Sequence, residues 1–115
     1  MSIKKIADYQ REFDEKYFGY WNDKVGKLEF LQSMVVALIG EVGEFANIVK
    51  KVNRDNKILG KNLDEKTIEK LREELTDCFI YIIILSNHLN MDLEKEYYKK
   101  TKLNKKRFER YRDAK

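Results

Sequence analysis

One segment constrains the fold more than any other. From Leu28 to about Val52, apolar residues (Phe30, Leu31, Met34, Val35, Val36, Leu38, Ile39, Val42, Phe45, Ile48, Val49) fall on nearly every face of a helix rather than along one stripe. Such a helix is buried on several sides and needs more than one neighbour. Gly40 and Gly43 each cost it about 1 kcal/mol against alanine, so close approach of another helix backbone is expected beside them. The chain has 115 residues, no proline, 43% hydrophobic and 38% charged residues, a balance that points to a helical globular protein. A second core would leave too little apolar material for either, so residues 1–115 are expected to form a single all-α domain.

The other helices follow from the same three-and-four spacing. Ile3, Ile6, Ala7, Gln10, Phe13 and Tyr17 mark an amphipathic first helix, with Ser2 as its cap and an end near Phe18 and Gly19. A loop is expected from Gly19 to about Lys27, and another over "NRDNKILGKN", Asn53 to Asn62. Asn62 with Glu65 reads as a capping box for a third helix running to about Leu89. Its isoleucine-rich run Ile80 to Ile84 resembles a strand, but the flanking "EKTIEKLREELTD" is helical in spacing and propensity. Asn90 reads as a helix stop and Asp92 as the cap of a fourth helix, "LEKEYYKKTKLNKKRFERYRD". The expected architecture is a bundle of about four helices, the two central ones most deeply buried. These two are apolar on too many faces for a monomer of this size, so an oligomer is expected.

The longest unbroken apolar run, Cys78 to Leu85, falls short of the ~20 residues that span a bilayer, and "MSIKKIADYQREF" has no signal-peptide core. A cytoplasmic protein without a membrane partner is the expectation, with Cys78 a packed thiol. The net charge of +4 gathers in the last helix, through Lys99, Lys100, Lys102, Lys105, Lys106, Arg107, Arg110, Arg112 and Lys115. Such a run suits a solvated face, and equally a polyphosphate or nucleic acid.

Two glutamates, Glu41 and Glu44, stand in the most apolar part of the second helix, three residues apart and so on one face. The third helix repeats the arrangement with Glu74 and Asp77, just before its own apolar run. Four carboxylates brought together between buried helices would repel and lose solvation, at several kcal/mol per buried ion. Neither helix places a basic residue between the members of a pair, and oxygen-only ligands suit a hard divalent cation such as Mg²⁺, or Mn²⁺. A di-iron centre built on Glu-x-x-His is not supported, because the one histidine, His88, lacks a glutamate at that spacing.

"GEVGEF", then "LREELTDCFIYIIILSNHLNMDLEKEYYKK", then "KTKLNKKRFERY" resembles the MazG-like, all-α nucleoside triphosphate pyrophosphohydrolases over roughly Leu28 to Tyr111. In that pattern of E-x-x-E, E-x-x-D and Lys-x-x-x-Asn-x-x-Arg, Glu41 and Glu44 match the first pair, Glu74 and Asp77 the second, and Lys100, Asn104 and Arg107 the last. The spacing between the pairs is long, which suggests an enlarged loop around Arg54 to Asn62. The resemblance implies Mg²⁺-dependent cleavage of a nucleoside or deoxynucleoside triphosphate between the α and β phosphates, by a homodimer or homotetramer. It implies Glu41, Glu44, Glu74 and Asp77 as metal ligands, Glu44 or Glu41 as the base that activates water, and Lys100, Asn104 and Arg107 as phosphate contacts.

Base recognition is assigned less directly: Trp21, Tyr20, Phe30 and Ser33 are candidates for stacking on or bonding to a base. A different class of function is a non-catalytic helical module holding nucleic acid through the basic last helix. The ordered carboxylate pairs speak for the enzyme, and a nucleic-acid partner is not expected.

Overall fold

The computed structural model describes residues 2–113, with the side chains of all these except 20–23 and 113. Four helices make up the described chain: α1 (Ile3–Lys24), α2 (Lys27–Leu59), α3 (Glu65–His88) and α4 (Leu93–Asp113). There is no strand among the described residues, and the isoleucine-rich run is helical within α3.

Helix boundaries follow backbone freedom more closely than polarity. Ser2 caps α1 as expected, its hydroxyl accepting from the Lys5 amide at 3.2 Å. α1 does not stop at Gly19, however, and the expected loop from Gly19 is helix as far as Lys24. Among the described residues only Gly60 and Asn90 have positive φ, so Gly19 does not make the left-handed turn by which a glycine ends a helix. α2 likewise runs through Asn53–Asp55 and ends at Gly60 (φ 68), whose amide donates to Asn56 and whose neighbour Lys61 receives the Asn56 side chain. The long spacing between the carboxylate pairs is thus mostly two further turns of helix rather than an enlarged loop.

Asp64, not Asn62, caps α3, its carboxylate accepting from the Thr67 amide at 2.8 Å. Asn62 instead meets the side chain of Asn56. Asn90 (φ 52) turns the chain after α3, and Asp92 caps α4 by accepting from the Lys95 amide, both as expected.

α2 packs along α3, α1 lies on α3, and α4 is joined mainly to α1. A hydrogen bond from Asn87 to the Ala7 carbonyl, at 2.9 Å, ties α3 to α1. α3 is the central helix and supplies most of the buried residues, among them Cys78, Ile83 and Ile84. α2 departs from expectation: of its residues only Phe30 is buried, while Val36 is 63% and Ile39 64% exposed. A Cβ on Gly40 or Gly43 would meet nothing within 4 Å, so no helix of the same chain approaches them. The radius of gyration, 18.6 Å, exceeds the ~13 Å of a compact domain of this length. The chain is open, with the apolar face of α2 uncovered.

Candidate metal and nucleotide site

The close pairing of α2 with α3 brings together the two carboxylate pairs that the sequence places on them. Glu41, Glu44 and Glu74 each offer an oxygen, and the three oxygens lie within 4.8 Å of one another. Glu74 is buried, Glu41 half-buried and Glu44 exposed, so the nest opens to solvent on the Glu44 side. Glu73, the neighbour of Glu74 in the sequence, is exposed. Asp77, one turn after Glu74, lies outside this group of three but lines a cavity together with Glu41.

The nest is electrostatically unsettled. Glu41 Oε2 and Glu74 Oε2 are sealed from solvent, and no N–H or hydroxyl group of the described residues reaches them. The Glu41 carboxyl is pushed up to about 7, chiefly by its interaction with the carboxyl of Glu74, then by burial and the charges of Glu44, Glu74 and Asp77. Glu44 is raised for the same first reason, whereas Glu74 is held low, because its neighbours share protons with it and because of Lys70. Burial and the surrounding carboxylates raise the Cys78 thiol, which keeps it protonated and poorly nucleophilic. Orphaned buried oxygens in a group of hard oxygen donors are what a divalent cation would satisfy, and the residues present fit one.

One member of the site escaped sequence reading. Lys70 sits one turn before Glu74, outside either pair, and its Nζ reaches Glu74 Oε1 at 3.4 Å. The signal was present as the i, i+4 spacing of Lys70 and Glu74. His88 takes no part in the nest: its ring stacks on Phe30 with centroids 3.9 Å apart, and Nδ1–H donates to the Ile84 carbonyl.

Lys100, Asn104 and Arg107 follow one another along α4, but no hydrogen bond or ion pair joins them to the carboxylates. Arg107 instead lies over the ring of Phe108. Trp21 and Tyr20 stand in the last turns of α1 rather than in a loop, and their side chains lie outside the described residues. Phe30 lines the cavity, of about 470 Å³, that α1, α2 and α3 enclose beside Glu41 and Asp77.

Four helices with a nest of three carboxylates between two adjacent ones define, among the described residues, an all-α fold whose helix-borne acids could hold a metal ion. The model of the MazG nucleotide pyrophosphohydrolase domain matches residues 30–110, and the chain belongs to that family. No curated protein and no solved structure matches it. The family match covers α2, α3 and most of α4 but leaves α1 outside.

Proposed function

We propose that this protein hydrolyses nucleoside or deoxynucleoside triphosphates between the α and β phosphates, giving the monophosphate and pyrophosphate, with Mg²⁺ as the physiological metal and Mn²⁺ as a substitute. The observation that carries the reading is the convergence of Glu41, Glu44 and Glu74, with two of their oxygens sealed and unpaired. Family membership supports the reaction class.

Glu41 and Glu74, the more buried members, would hold the cation with Glu44, and Asp77 would complete the set from the adjoining turn of α3. A bound divalent cation supplies charge to offset the phosphates and acidifies a water for attack on phosphorus. Glu44, exposed and with its carboxyl raised, would be the base that takes a proton from the attacking water, with Glu41 as the alternative. Lys70 neutralises part of the nest when no metal is bound. Trp21 is retained as a candidate for stacking on the base.

A homodimer or homotetramer is part of the proposal. The uncovered apolar face of α2, the open space at Gly40 and Gly43 and the large radius of gyration describe a protomer whose core a second copy completes. α2 has the length and mean hydropathy to cross a bilayer, since averaging over a window hides the charges that interrupt each apolar run. Glu41 and Glu44 near its middle would make that costly, and a helical partner fits better. Lys100, Asn104 and Arg107, unconnected to the nest of their own chain, would contact phosphates after assembly. The cytoplasm, with its nucleotide pool, is the proposed compartment.

The test is thermal unfolding with added Mg²⁺ or Mn²⁺, followed with turnover of a triphosphate. The metals should raise the melting temperature of the wild type. Glu41→Gln should abolish that shift and lower turnover by orders of magnitude with the helical content unchanged. Loss of helicity in Glu41→Gln would make Glu41 structural instead.

A further inference from the structure

Beside the nest, the cavity between α1, α2 and α3 contains a polar pair that the metal chemistry does not use. Asp14, on α1, is only 8% exposed and faces this mostly apolar space. A carboxylate so buried ordinarily has a cationic partner. Asp14 has a neutral one: Gln10 Nε2 donates to its Oδ1 at 2.9 Å. Burial is the main influence on its carboxyl and raises it, with the Gln10 hydrogen bond and then the charge of His88 acting in the other direction. Asp14 Oδ2 accepts from no described residue, yet it is not among the oxygens sealed from solvent, which leaves it open to the cavity. The nearby Arg11 is engaged with Asp8 and Asn87 and does not reach Asp14.

Glu41 and Asp77 border the same cavity, so a ligand whose phosphates lie at the nest has its remaining part within reach of Asp14. Phe13, Phe18, Phe30 and Tyr81 offer ring faces or edges for a flat group, and the volume of about 470 Å³ lies in the range of small-molecule sites. We propose that Asp14, oriented by Gln10, accepts hydrogen bonds from the donor edge of a nucleobase, and that guanine nucleoside triphosphates are therefore the preferred substrates. The proposal rests on the pyrophosphohydrolase reading for the position of the phosphates. It concerns α1, which the family match does not reach.

The preference follows from donors and acceptors. A carboxylate has only acceptors to offer. Guanine presents N1–H and the N2 amino group side by side, a pair of donors that the two oxygens of one carboxylate can take together. Adenine and cytosine present an amino group beside a ring nitrogen that accepts. Thymine and uracil present one imino donor flanked by two carbonyls, which a carboxylate repels. A site with a buried acceptor left unmatched by the wrong base discriminates strongly.

Calorimetric binding of the α,β-methylene analogues of dGTP and dTTP, with Mg²⁺ present, tests the base reading without requiring turnover. The guanine analogue should bind at least about tenfold more tightly. Asp14→Asn should remove that preference, weakening the guanine analogue and relieving the repulsion of the thymine carbonyls, and Gln10→Leu should weaken it. Circular dichroism checks each variant, and Gln10→Leu carries the test should Asp14→Asn not fold. Equal affinities, failure of both analogues to bind, or a preference that survives both substitutions overturns the proposal. Pyrophosphate release from natural dGTP and dTTP is read in parallel. Release without base preference would remove the guanine reading and leave the reaction. Guanine-selective binding without release would do the reverse.

Discussion

Glu41 is where the chemistry of single residues is most exposed to test. Its carboxyl is held at about 7 in the folded protein against an ordinary 4.5. Between those values the folded state keeps a proton that the unfolded state has released, so this contribution to stability is full below the unfolded value and is lost as pH rises through the folded one. Glu44 acts in the same direction, whereas Glu74, held low, has its influence below the ordinary carboxylate value. The melting temperature of the metal-free protein should therefore fall between about pH 5 and about pH 8, and Glu41→Gln should flatten that fall. A melting temperature that rises with pH through this interval would contradict the nest. The sequence showed the two pairs and their faces, because helical spacing is local. It did not show which members touch: Asp77 stands outside the group of three, and Lys70 joins Glu74. That depends on the relative rotation of α2 and α3, which no local pattern encodes.

Elements were legible in number and order, less so at their ends. All four helices were expected, as were the caps at Ser2 and Asp92. The misplaced ends share a cause: polar clusters such as "NRDN" and a glycine such as Gly19 permit a loop without requiring one. In their absence of backbone strain the helices continue to the residue that leaves the right-handed region. Gly60 is that residue for α2. Gly60→Ala should destabilise the protein by about 1 kcal/mol, read as a lower denaturant midpoint with unchanged slope, whereas Gly19→Ala, within α1, should be neutral or stabilising. Equal losses at the two positions would mean that α2 does not end as described. Asp64 was missed in favour of Asn62 because both can cap, and the choice follows from where the chain leaving Gly60 meets α3.

At the scale of the whole molecule, the sequence held a requirement that one chain does not meet. α2 is apolar on many faces, and the single chain leaves Val36, Ile39 and Val42 exposed. Ile39→Glu should shift the protein toward monomer in light scattering, and a wild type already monomeric at micromolar concentration would remove assembly from the account. The expectation of an oligomer came from the sequence; the cavity beside the nest was the part least visible in it, since several helices build its walls jointly. The most direct measurement is to incubate the protein with Mg²⁺ and a panel of ribo- and deoxynucleoside triphosphates and to resolve the products. Monophosphate with pyrophosphate is the predicted result; diphosphate with phosphate, or no turnover with either Mg²⁺ or Mn²⁺, would contradict it.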